Sequence, residues 1–192
     1  MKKRVFIVHG WEGTPNQAWF PWIKKELEKR DFEVFAPQMP NTEEPKIEEW
    51  VPFLAKQVGE PNENSYFVGH SIGCQTIMRY LETLEDRKVG GVIFVAGFFN
   101  LPNLETEEEK EIAKPWLERK INLKKVKKAA DNFVAIFSDN DSDVSLSDSE
   151  IFKQKLNAEI VVEHNRGHFS EDTGIKELPI VLDSILKLEI RN

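Results

Sequence analysis

The 192 residues allow one domain, or one with a small second lobe, and an apolar share of 40% is enough to bury a single core without staples. A net charge of −7, from 26 basic and 33 acidic residues, repels polyphosphate and argues against a nucleic-acid partner. Cys74 is the only cysteine, which excludes an internal disulfide and suits a reducing compartment.

The first apolar run, Val5 to Val8, is closed by His9 and is too short for the core of a secretory signal. The longest apolar stretch, VGGVIFVAGFF at 89–99, falls short of the roughly 20 residues that a membrane span needs. Both readings place the protein in the cytoplasm, without a membrane partner.

Six β-like runs follow one another: 4–10, 32–39, 65–70, 90–97, 132–139 and 158–164. Most are continuously apolar and β-branched rather than alternating, the pattern of strands buried on both faces of a parallel sheet. Amphipathic segments separate them. Residues 17–30 keep Trp19, Trp22, Ile23 and Leu27 roughly on one face. Further helices are expected over 46–58, 73–85, 147–156 and 175–188, with Ser147 and Glu150 spaced as a capping box. The alternation predicts a doubly wound α/β sheet of about six strands, mostly parallel, with helices on both faces.

Residues 98–130 break this rhythm, because a crossover needs only about a dozen residues. The excess predicts one or two extra helices within one 1–192 domain, either a small lid or a surface excursion. The basic run KKVKK at 124–128 reads first as a solvated helix face and second as a positive patch over a cleft.

The chemistry concentrates at YFVGHSIGC, residues 66–74. A G-x-S-x-G between a strand and a helix is the setting of a nucleophile elbow. Gly69 and Gly73 leave room for the neighbouring elements, Ser71 projects from the turn, and the following helix aims its amides at the hydroxyl. A serine hydroxyl needs a base. His9 and His70 precede any acid and do not fit the order Ser, acid, His. His168, in the loop NRGHFSED, stands ahead of His164 at the strand end. The loop SDNDSDVSLSDSE offers the acid. Asp141, three residues before the apolar Val144, is first choice, Asp143 second and Asp139 third. The loop HGWEG at 9–13 supplies a second oxyanion donor, so the hole is assigned to the backbone amides of Trp11 and Ile72. Cys74 lies inside the helix and reads as a buried thiol, not a nucleophile.

HGWEG, GHSIG, the Asp loop and RGHF occur in this order, each at a strand's C-terminal end. With APQMPNTEEPKIEEWV, FVAGF and the pair Trp19 and Trp22, they resemble the α/β-hydrolase superfamily across nearly the whole chain. Within it they are most similar to the small serine hydrolases related to retinoblastoma-binding protein 9. The resemblance implies a hydrolase core without a large cap, and Ser71, Asp141 and His168 as a triad. Two departures are Ser145, where many relatives have proline, and the added charge of Asp143. No L-x-C-x-E stretch occurs, so no protein partner is carried over.

The expected activity is hydrolysis of small ester, thioester or amide substrates through an acyl-enzyme, with no cofactor or metal required. Carboxylic esters are the first expectation and aminoacyl amides the second. Phe98, Phe99 and Trp116 are either pocket walls or ordinary packing under a loop. The competing reading is a protein-interaction module on a hydrolase scaffold with vestigial activity. Acyl transfer or lactone opening by the same residues is a third.

Overall fold

A computed structural model describes residues 2–191. Strands β1 (Arg4–Val8), β2 (Glu33–Phe35), β3 (Ser65–His70), β4 (Gly91–Val95), β5 (Phe133–Ser138) and β6 (Glu159–Glu163) form one sheet in the order β2-β1-β3-β4-β5-β6. Every neighbouring pair is parallel. β3, β4 and β5 are buried along their whole length, which is why their sequences carry no alternation. β2 is shorter than its apolar run because Pro37 has no amide to give the ladder.

Helices cover both faces. On one side lie α2 (Ile47–Val58), α3 (Ile72–Leu81) and α5 (Leu123–Ala129), with Trp50, Ile77, Trp116 and Phe152 in the core beneath them. On the other lie α1 (Phe20–Glu28) and α7 (Pro179–Arg191), which share Trp19, Ile23, Leu27, Val181 and Ile185. Fully burying an aliphatic side chain such as Ile23 or Leu27 contributes about 1.5–3 kcal/mol. α7 starts at Pro179 and not near 175, because the residue before a proline is pushed out of helical geometry.

Residues 98–130 contain two helices, α4 (Glu107–Glu118) and α5. Trp116 fixes α4 to the body: its ring meets Trp50 at 6.1 Å and its Nε1 donates to the Pro45 carbonyl at 2.8 Å. Val126 and Ala129 are buried under α5, whereas Lys124, Lys125, Lys127 and Lys128 are exposed, as expected of a solvated face. α6 (Asp148–Ile151) continues into a π-helical turn, Phe152–Leu156. The capping box expected at Ser147 does not form, because Ser147 itself has helical dihedrals (φ −61°, ψ −25°). A capping box forms instead at α4, between Thr106 and Glu109. Among the described residues, no helix is long and apolar enough to cross a membrane.

The chain passes from β1 outward to β2, then returns across β1 to β3. The crevice beyond the C-terminal ends of β1 and β3 is therefore a topological switch point, where open α/β sheets bind ligands. The segments that leave these two strands are HGWEG and the serine turn.

Candidate active site

Ser71 sits between β3 and α3 with φ 53° and ψ −123°, a conformation that non-glycine residues rarely hold. The amide of Ser71 donates to the Val95 carbonyl at 2.9 Å, which ties the turn to β4. The flanking glycines are demanded by close approach. A Cβ on Gly73 would lie 2.3 Å from the Val8 carbonyl oxygen, and one on Gly69 would lie 2.8 Å from the Cys74 amide nitrogen. The loop after β1 also approaches the serine, since a Cβ on Gly10 would meet that of Ser71 at 3.3 Å. Among the described residues, neither the Trp11 amide nor the Ile72 amide has a backbone acceptor, so both are free to bind an oxyanion. The Trp11 indole is held aside by donating to the Glu43 carbonyl at 2.9 Å.

Ser71 and His168 line one cavity of about 640 Å³, together with Gly10, Trp11 and Phe20. His168 Nδ1 lies 2.9 Å from Asp141 Oδ2 and 3.1 Å from Oδ1. A carboxylate only accepts, so the proton of a neutral imidazole is on Nδ1 and the Nε2 lone pair is left to act as base. Asp141 Oδ1 also accepts the amides of Asp143 at 2.8 Å and Val144 at 3.0 Å, which locks the acid in place. Its side chain is only 3% exposed. Asp143 is 3.8 Å from the same imidazole nitrogen and 55% exposed. Asp141 is thus the carboxylate held against His168, and Asp143 is a solvated neighbour. The oxygen and nitrogen atoms of Asp141, Asp143 and His168 lie within 4.8 Å of one another, close enough for a cation site. Asp141, however, is already committed to two amides and the imidazole.

Asp139 pairs with the other candidate histidine. Its carboxylate takes His164 Nδ1 at 2.6 Å and the Asn165 amide at 2.9 Å. The hydrogen bond to Asp139 holds His164 above its usual pKa. The His164 side chain is 81% exposed and does not line the cavity. The two acid–histidine pairs belong to one clasp between the β5 and β6 loops. Arg166 donates its amide to Ser138 Oγ at 3.0 Å, and Gly167 donates to Asn140 Oδ1 at 2.8 Å.

His70, which does not fit the order Ser, acid, His, packs against the site. Its ring centre is 4.9 Å from that of His168, and its Nε2 donates to the His168 carbonyl at 2.7 Å. Burial pushes its pKa down to about 3, so it is neutral, with the proton on Nε2. Trp19 Nε1 donates to the next carbonyl, Phe169, at 3.0 Å, and the Glu171 carboxylate accepts the Ala18 amide. Three side chains thus fix the His168 loop to the molecule. His9 takes the Met39 amide on Nε2 at 3.0 Å and contacts the Gly10 carbonyl through Nδ1 at 2.9 Å. It is a hydrogen-bonded loop residue, kept neutral mainly by burial.

Cys74 is fully buried with its Sγ 3.4 Å from the Val95 carbonyl, and burial raises the thiol pKa, which makes it a poor nucleophile. Phe98 and Trp116 do not line the cavity but belong to the core. Leu101 and Leu104 provide that wall instead. The loop before them is pinned by the buried Asp148, whose carboxylate takes the Phe99 and Asn100 amides at 2.5 and 2.9 Å.

Comparison with known proteins agrees with this frame. YdeN from Bacillus subtilis is 36% identical over 95% of this chain and 94% of its own. Its crystal structure superposes with a TM-score of 0.89 over 97% of this chain and 98% of that one. The serine hydrolase RBBP9 of Rattus norvegicus is 26% identical over 95% of both chains. Est1E from Butyrivibrio proteoclasticus shares the fold with a TM-score of 0.71 at 15% identity, over 95% of this chain and 89% of that one. The sheet, its crossovers and the turn after β3 are those of an α/β hydrolase. With the family model "Serine hydrolase" matching residues 5–187, the chain belongs to the serine hydrolase family.

Proposed function

We propose that the protein hydrolyses small carboxylic esters, and with them thioesters or amides, through an acyl-enzyme on Ser71. The observation that carries this reading is the shared cavity. A serine on a strained turn opens into the same space as an imidazole whose far nitrogen is held by a buried carboxylate.

Ser71 Oγ attacks the carbonyl carbon while His168 Nε2 takes its proton. Asp141 keeps the imidazole in the correct tautomer and stabilises the cation that forms. The negative oxygen of the tetrahedral intermediate is met by the Trp11 and Ile72 amides, each worth roughly 3 kcal/mol of barrier in such sites. Collapse breaks the bond to the leaving alkoxide, which takes the proton from His168. A water molecule then attacks the acyl-enzyme. His168 removes its proton and passes it to Ser71 Oγ as the acid leaves, so ester and water become acid and alcohol. The segment 98–130 acts as a partial lid through Leu101 to Glu109, and the buried, lone Cys74 favours a reducing, cytoplasmic setting.

A fluorophosphonate probe tests the reading. The wild type should label covalently, and Ser71→Ala and His168→Ala should not. A well-folded wild type that fails to label would instead favour an interaction module on a hydrolase scaffold.

A further inference from the structure

The cavity has an uneven charge. Among the described residues, six carboxylate residues line it, Glu12, Glu105, Glu109, Asp143, Glu171 and Asp172, and no lysine or arginine does. Three are occupied. Glu109 is spent on the Glu105 and Thr106 amides, Glu171 on the Ala18 amide and Lys176, and Asp143 faces His168. Among the described residues, Glu12, Glu105 and Asp172 have no ion pair or hydrogen bond through their carboxylates. They come from three separate segments: the loop after β1, the lid segment and the loop after His168. All three line the same cavity. The four lysines of α5, the strongest basic run in the sequence, take no part in the lining.

We infer that this site selects substrates by charge: it takes acyl or alcohol groups that carry a cation, such as an ammonium, and rejects anionic ones. The inference rests on the hydrolase reading of Ser71. A cleft lined by one sign of charge focuses the field and raises the local concentration of the opposite sign. Phosphorylated thioesters and dicarboxylic half-esters meet the reverse field. The chemistry is the balanced hydrolysis given above; only the substrate class is added.

Three p-nitrophenyl esters of matched shape test this: γ-trimethylammoniobutyryl, its neutral analogue with carbon in place of nitrogen, and the glutaryl half-ester. At low salt, kcat/KM should rank cationic, neutral, anionic, with roughly tenfold or more between the extremes. Added salt should narrow the gap from both ends. Glu12→Gln, Glu105→Gln and Asp172→Asn combined should collapse the cationic-to-neutral ratio toward one, a ratio that does not depend on how much of the variant folds. Equal, salt-independent rates for the three esters in an enzyme that labels with fluorophosphonate would overturn the charge selection and leave the hydrolase reading standing. No turnover of any ester together with no labelling would overturn both.

Discussion

Replacing Asp141 by asparagine separates geometry from electrostatics at the candidate triad. The carboxylate has two duties: Oδ1 accepts the Asp143 and Val144 amides at 2.8 and 3.0 Å, and both oxygens face His168 Nδ1. An asparagine keeps one carbonyl oxygen, which can stay on the two amides and preserve the loop. Its NH2 group then faces the imidazole. Nδ1 must become the acceptor, the proton moves to Nε2, and the lone pair that should receive the Ser71 proton is gone. The same change in other triads costs about 10⁴ in kcat, or about 5 kcal/mol of barrier. Asp143→Asn should behave differently. At 3.8 Å and 55% exposed, its charge is worth at most about 1 kcal/mol in a water-like dielectric, roughly fivefold. The assay is the second-order rate constant for fluorophosphonate labelling, which needs no knowledge of the natural substrate, with circular dichroism to confirm folding. An Asp141→Asn protein that labels within tenfold of wild type, or an Asp143→Asn protein that is the slower of the two, would refute the assignment.

Other measurements bear on the supports. His70→Phe removes the donor to the His168 carbonyl and should slow labelling and cost about 1–3 kcal/mol in urea melts; His70→Gln, which can still donate, should recover part of the rate. Gly73→Ala drives a methyl to 2.3 Å from the Val8 carbonyl oxygen and should destabilise the fold by more than about 2 kcal/mol, read from the denaturation midpoint. The folded pKa of His70 is about 3, well below its ordinary 6.5, so the unfolded chain binds more protons between these values. Stability should therefore fall as pH drops through this window, by a few kcal/mol in all, and thermal melts of His70→Gln should show a shallower fall. The His164–Asp139 pair has the opposite sign: its raised pKa gives a stabilisation present below the ordinary 6.5 and lost as pH rises through the raised value, and His164→Ala should remove that dependence.

The strand sequence of the fold could be read because β3, β4 and β5 are buried on both faces and show it in continuous apolar runs. The serine turn was equally legible: glycine at 69 and 73 is a steric requirement that leaves a fixed spacing behind. What could not be read depends on pairings across the chain. His70 supports His168 through a bond spanning 98 residues, and no local pattern announces it. Ser138 and Asn140 looked like members of a polar loop, yet they accept the amides that lead into His168. Two S/T-x-x-E stretches were present, at Ser147 and Thr106. Only the second caps a helix, because Ser147 is already inside a helical turn. The lid-side wall was misplaced for a similar reason: Phe98 and Trp116 are large enough to serve as core, and Leu101 and Leu104 are left at the surface of the cavity.

The clasp between residues 138–140 and 165–167 has a consequence for anyone rebuilding this scaffold. Each side supplies what the other lacks, amide hydrogens on one and side-chain oxygens on the other. A graft that imports only one half from a relative would strand polar groups in the joint. The two segments should be transplanted as a matched set, with Asn140 included.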